Sequence, residues 1–504
     1  MKYRSKDFLG WLLEVAALLA LAVPDLPELP VQAFGQESSS SPVTKVERKN
    51  KAPVSTEILR VKLSRPVEAK LKNGLTVLVV EDHRFPAVFA QFYIRGAGGI
   101  FEPEKLTGLA NVTAEMLREG TQTRTSKQIA EEMDRQGAAL TASSGFGSAE
   151  SVLSASGLSD NFDAWFALAT DVLLHPSFPD VELTRLKQQL KVQLRQQRSK
   201  AGFLAEERFG RAVFGSHPAA VVSPTPESVD ALTPEALMEW HRERYTPQEA
   251  ILGIAGDVRA AELIPELEKW LADWRQREVS GVLPADPVPV SNRKIYLVDR
   301  RDSVQTTVVL GNIAIGRRSE DYVPMVVMNH ILGGGPAARL FLNLREEKGY
   351  TYGVYSNFTA VEYPGPWRAG GNMRTEVTDG ALTEFFHEIR RIREEKVGEA
   401  ELAETKRSVV ANFALSLEQP TRMLGFAITR KIYNLPDDYW DTYPAKIMAV
   451  SADDVQRVAR KYLDPETMQL VAVGDGRKIK PTLEPYGSVE VYDSEGKPAA
   501  VPKP

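Results

Sequence analysis

Residues 233–257 read TPEALMEWHRERYTPQEAILGIAGD, and residues 451–475 read SADDVQRVARKYLDPETMQLVAVGD. Each is a Thr or Ser, a helical stretch, a tyrosine, a proline turn, an apolar run and Gly-Asp. A Thr or Ser side chain at a helix start accepts a bond from a backbone N–H that the helix leaves unpaired. A short apolar run bounded by turn residues reads as a buried strand. Thr233 stands 218 positions before Ser451, and Gly256 stands 218 before Gly474. Self-similarity at so long a period indicates a duplicated domain rather than a solenoid of short repeats.

Outward from this pair, both halves begin with strands. They fall at residues 75–80 and 88–94 in the first half, and at 294–298 and 306–310 in the second. Between strands lie helices. Asp160 is placed to cap one whose apolar side is Phe162, Trp165, Leu168, Ala169, Val172 and Leu173. Leu183, Leu186, Leu190 and Leu194 recur at helical spacing along another. The class this implies is α+β, each half a largely antiparallel sheet with helices packed on one face. Residues 282–292, VLPADPVPVSN, carry three prolines and no periodicity, and read as a linker. The expected units are therefore 58–281 and 293–480.

The ends are of another kind. Lys2, Arg4 and Lys6 precede an apolar run over 8–23, broken by Glu14. Prolines 24, 27 and 30 follow, and then Val31-Gln32-Ala33, with small residues suited to cleavage. This pattern predicts a signal peptide over 1–33, and hence export to the periplasm or cell envelope. Residues 34–57 are polar and Ser-rich and read as a flexible linker. Residues 481–504 are polar and Pro-containing and read as a flexible tail.

Composition narrows the chemistry. The 504 residues include no cysteine, which excludes disulfides, thiolate metal sites and cysteine nucleophiles. Any histidine site must come from His83, His175, His217, His241, His330 and His387, the only six. A net charge of −5 with dispersed basic residues argues against a nucleic-acid partner.

Three segments carry a resemblance: 108–121 (GLANVTAEMLREGT), 245–258 (YTPQEAILGIAGDV) and 332–356 (LGGGPAARLFLNLREEKGYTYGVYS). In order, spacing and duplication they resemble the insulinase/pitrilysin zinc peptidases, especially the short bacterial members similar to mitochondrial processing peptidase. The resemblance covers nearly all of residues 58–480. It implies that catalytic relatives carry H-x-x-E-H on the helix of the first segment. Two histidines at i and i+4 share one helical face and reach one zinc, and the glutamate activates the metal-bound water. A further glutamate, roughly 70 to 80 residues on, completes three protein ligands.

Here Asn111, Ala114 and Glu115 stand at those positions, and residues 187–194 (KQQLKVQL) offer no carboxylate. The resemblance therefore implies no metal on this chain. In the second half it matches the family's Arg and Tyr, seven apart, to Arg345 and Tyr352. There the tyrosine hydroxyl, assisted by the arginine, bonds substrate near the scissile carbonyl. Packing and a surface ion pair with Glu346 or Glu347 is the other reading of that pair. Gly333, Gly334 and Gly335 align with a glycine-rich substrate loop of the non-catalytic processing-peptidase subunit, or simply end a helix.

These features point to the non-catalytic subunit of a heterodimeric zinc metallopeptidase that cleaves unfolded peptides. Its partner would be a zinc-bearing paralogue with H-x-x-E-H. The alternative is a metal-free peptide-binding or assembly protein with no part in proteolysis.

Overall fold

In the computed structural model, residues 63, 65–277 and 282–500 are described. The expected signal peptide and the linker after it lie outside these residues. Twelve strands form two six-stranded sheets. The first contains β1 (Val67–Lys70), β2 (Thr76–Glu81), β3 (Ala87–Arg95), β4 (Ala139–Ser144), β5 (Glu150–Leu158) and β6 (Ala250–Gly256), in the order β1-β2-β6-β3-β5-β4. The second contains β7 (Ile295–Asp299), β8 (Gln305–Ile315), β9 (Thr351–Ala360), β10 (Pro364–Arg374), β11 (Gln469–Gly474) and β12 (Val489–Tyr492), in the order β12-β7-β11-β8-β10-β9. Most ladders are antiparallel, and β2–β6, β7–β11 and β7–β12 are parallel.

The repeated segments behave as their spacing predicts. Thr233 caps the helix Pro234–Arg244 by accepting from the Ala236 N–H, and Ser451 caps Ala452–Tyr462 through a reciprocal capping box with Asp454. Each helix leads into a fully buried strand, β6 or β11, at the middle of its sheet. The helix with the Trp165 stripe runs Phe162–Leu174, but Asp160 does not cap it. Asp160 sits one turn earlier, in the 3₁₀ turn Ser159–Asn161, and Asn161 is the first flanking residue.

Helices cover one face of each sheet, as expected, and one further helix covers the other face. That helix comes from the opposite half. Pro420–Ile432 presses Leu424, Ala427, Ile428 and Ile432 onto Leu78, Val80, Tyr93, Ile251 and Ala255 of the first sheet. Ala201–Phe214 presses Leu204, Ala205, Phe209, Ala212 and Val213 onto Tyr296, Val298, Val309, Ile313 and Val471 of the second. The approach is close. A β-carbon on Gly253 would lie 2.9 Å from the methyls of Leu424 and Ile428. With both faces buried, β2 reads as a continuous apolar run, TVLVV, rather than as an alternation.

The tail is a correction. Residues 476–483 form a helix, and β12 adds a parallel strand to β7. Arg208 stacks 3.5 Å from the Tyr492 ring centroid and donates to the Gly496 carbonyl at 2.9 Å. Without β12 the buried strand β7 would be a bare sheet edge, which is the physical reason for the docking.

Candidate functional site

The helix Leu109–Met116 is where a metal would be held. It starts at Gly108, whose φ of 96° is the left-handed conformation that glycine adopts freely. The Glu102 carboxylate closes the helix start, accepting from the N–H groups of Gly108 at 2.8 Å and Ala110 at 2.6 Å. Burial pushes that carboxyl up to about 7, against the pull of those same bonds. Leu109, Ala110, Val112, Thr113, Ala114 and Met116 are buried, which leaves Asn111 and Glu115 on one half-exposed face.

Neither residue is arranged as a ligand. The Asn111 amide donates to the Ser144 carbonyl at 3.2 Å, at the end of edge strand β4. Ala114 has no donor atom and is buried. Burial raises the Glu115 carboxyl above its ordinary range, with Arg118 and the Asn111 amide opposing the shift. On the long helix Asp180–Arg198, Lys187 donates to the Asp230 carbonyl and Lys191 pairs with the Asp230 carboxylate. Of the flanking carboxylates, Glu182 is paired with Arg185 and Glu206 with Arg368.

The histidines are dispersed, and four of them make local bonds. His83 bonds Asp257, His175 bonds Asp171, and His217 accepts from the Ala219 N–H. His241 meets the Leu173 carbonyl, and burial pushes it down to about 4. Among the described residues, no three His, Asp or Glu side chains are grouped to hold a metal. A zinc ion does not fit the residues at this helix.

The second half holds the counterpart of this helix, Tyr322–Leu332. Asn329 lies 218 positions after Asn111. Its amide donates to the Ser356 carbonyl on edge strand β9, also at 3.2 Å. Its oxygen accepts from the Ser356 hydroxyl at 2.8 Å and from the Trp367 indole at 2.9 Å. The first zinc-ligand position of the family thus holds the residue type of the metal-free repeat, and makes the same staple between helix and edge strand.

Arg345 and Tyr352 lie on either side of a turn into β9. Arg345 sits in a π-helical turn, Leu342–Glu347, over the Phe341 ring at 4.7 Å and 3.7 Å from Glu346. Tyr352, near the start of the edge strand, is 88% exposed. Tyr350, between them, packs against the core. Gly333 ends the Tyr322–Leu332 helix, and a β-carbon there would lie 2.6 Å from the Ser356 nitrogen. A β-carbon on Gly334 would lie 2.8 Å from the His330 α-carbon, while Gly335 faces open space. Close packing accounts for the first two glycines.

No sequence pattern signals Glu150 at the head of β5, which burial and the nearby Glu362 push up to about 7. Nor does one signal the Tyr363 hydroxyl, which donates to the Gly147 carbonyl at 2.7 Å and ties the β9–β10 hairpin to the β4–β5 hairpin.

Duplicated sheets, exchanged helices and a metal helix without ligands define an inactive homologue of a metallopeptidase. Comparison with known proteins gives the family. The model for Insulinase (Peptidase family M16) matches residues 76–221, and that for the Peptidase M16 inactive domain matches 231–409, together more than half of the chain. The chain belongs to the insulinase family, peptidase family M16, as an inactive-type member. It is 24% identical to the "Uncharacterized zinc protease YmxG" of Bacillus subtilis, over 69% of this chain and 83% of that one. It is 22% identical to the "Non-peptidase homolog YmxG" of Helicobacter pylori, over 80% and 93%. Its fold matches a peptidase M16 inactive domain from Pseudomonas fluorescens with a TM-score of 0.76 at 24% identity, covering 82% of this chain and 98% of that one.

Proposed function

We propose that this chain is the non-catalytic subunit of a two-chain zinc peptidase and supplies Arg345 and Tyr352 to the active site of its partner. The observation that carries the reading is the exposure of Tyr352 on a free sheet edge, with Arg345 half-exposed in the turn that precedes that strand. The partner is a zinc-bearing paralogue with H-x-x-E-H, exported to the same periplasmic or envelope compartment through the signal read at residues 1–33. Among the described residues no helix is long and apolar enough to cross a membrane. The substrate is an unfolded peptide, held partly as an added strand, which reads backbone more than sequence.

In this reading the Tyr352 hydroxyl donates to the oxygen that gains negative charge as the scissile carbonyl is attacked, and the Arg345 cation assists it. A donor of this kind is worth about 10²–10³ in turnover. Tyr352→Phe keeps the ring and removes only the donor. In the complex purified with its partner, turnover should fall by about that factor while assembly and zinc content hold. Equal turnover would reject the role.

The printed name of the Helicobacter pylori relative favours a second reading, a metal-free peptide-binding or assembly protein. On that reading the Phe variant is indistinguishable from the parent.

A further inference from the structure

The edge strand that carries Tyr352 does not keep the alternation of a regular strand. Val354 and Ser356 are buried on one face of β9, where Ser356 meets Asn329 of the helix Tyr322–Leu332. A regular strand turns every second side chain to the same face, so Tyr352 would join them. Instead Thr351 is buried and Tyr352 is 88% exposed. The ladder to β10 shows why. Gly371 opposes Val354 and Met373 opposes Thr351, so two residues of β9, Tyr352 and Gly353, face Asn372 alone. One extra residue in one strand is a β-bulge, and a shift of one residue moves the side chains beyond it to the other face.

The bulge is held from both strands. The Thr351 hydroxyl donates to the Asn372 carbonyl across the ladder at 2.6 Å and accepts from the Gly353 N–H at 3.1 Å, so one side chain ties the extra residue to the neighbouring strand. On β10, Gly371 leaves room for the Gly353 carbonyl, which a β-carbon there would meet at 2.6 Å. The fold does not demand this device. The edge strand of the first half, β4, pairs with β5 over Ala139–Ser144 without a register shift. Bulges gather where a strand must re-aim a side chain beside a functional site.

We infer that Thr351 is the positioning residue for Tyr352: its hydroxyl locks the bulge that turns the phenol away from the buried face of β9 and out to the open edge. Its effect on turnover rests on the two-chain peptidase reading. Its effect on the exposure of Tyr352 belongs to this chain alone.

Nitration of the purified full chain by tetranitromethane, mapped by peptide mass, reads that exposure, with the half-exposed Tyr355 as internal reference. Thr351→Val keeps the branched shape and removes the hydroxyl. The ratio of Tyr352 to Tyr355 nitration should then fall about threefold or more, the worth of a lost hydrogen bond. In the complex with the zinc-bearing partner, kcat should fall with it while KM holds. Thr351→Ser restores the hydroxyl and should recover both. Gly371→Ala crowds the bulge from β10 and should lower the same nitration ratio, which decides the matter if the Val variant does not fold. A parental ratio in folded Thr351→Val, or in Gly371→Ala where the former does not fold, overturns the inference, as does a Ser variant that behaves like the Val variant. A lowered ratio with parental turnover upholds the role of Thr351 and rejects the two-chain reading instead.

Discussion

Asn111 and Asn329 make the same bond, 218 residues apart, from a helix to the terminal serine or its equivalent on an edge strand. In the first half that bond uses the position where catalytic relatives place a zinc ligand. This loss was legible in the sequence, because the H-x-x-E-H positions are fixed by helical spacing. What they became was not, because the partner Ser144 is distant in sequence. Rebuilding the motif as Asn111→His, Ala114→Glu and Glu115→His should leave zinc far below stoichiometric by elemental analysis, since the Asp180–Arg198 helix brings no third ligand. Full occupancy in that variant would show that the lost site is only three substitutions deep. Glu150 gives a second test. Its folded pKa, pushed up to about 7, lies above its ordinary 4.5. A raised carboxyl favours the folded state below its unfolded pKa, and that stability is lost as pH rises through about 7. Glu150→Gln should remove the loss, gaining about 2–3 kcal/mol on the parent between pH 5 and 8 in denaturant titrations. Parallel pH profiles for the two proteins would contradict this. No sequence pattern announces such a group, because burial of a charge is decided by what packs over it.

The exchanged helices set the element scale. Each sheet has one face covered by a helix from the other half, and the contact is made by side chains at helical spacing on the aliphatic and tyrosine side chains of the strands. Ile428 is buried against the first sheet although it lies far along the second half. Ile428→Ala should cost about 2–5 kcal/mol in chemical denaturation, as for other buried aliphatic truncations. A loss below 1 kcal/mol would mean that the helix is not anchored there. The sequence held a hint of this arrangement. Strands β2, β6 and β11 are apolar without alternation, which calls for cover on both faces. It did not say which helix provides the cover. The same holds for the tail, where VEVY alternates like a strand within a polar stretch, and only the open edge of β7 turns that weak preference into β12.

At the scale of the molecule, exchange makes the halves interdependent. A chain ending near residue 281 keeps the first sheet but lacks Pro420–Ile432, so Leu78, Val80 and Ile251 face water. Expressed alone it should be insoluble or bind hydrophobic dyes strongly, and co-expression with residues 282–504 should restore a soluble pair. A soluble, cooperatively folding first half would refute the interdependence. The duplication, the α+β class and the disappearance of the metal ligands were all readable along the chain. These depend on local periodicity and on spacing along the chain, which a one-dimensional string records completely. Which helix covers which sheet, the Asn111 staple and the freedom of Tyr352 on a sheet edge emerge only when the chain folds. Each of these depends on residues brought together from far along the chain, and on which surfaces lose water when they meet.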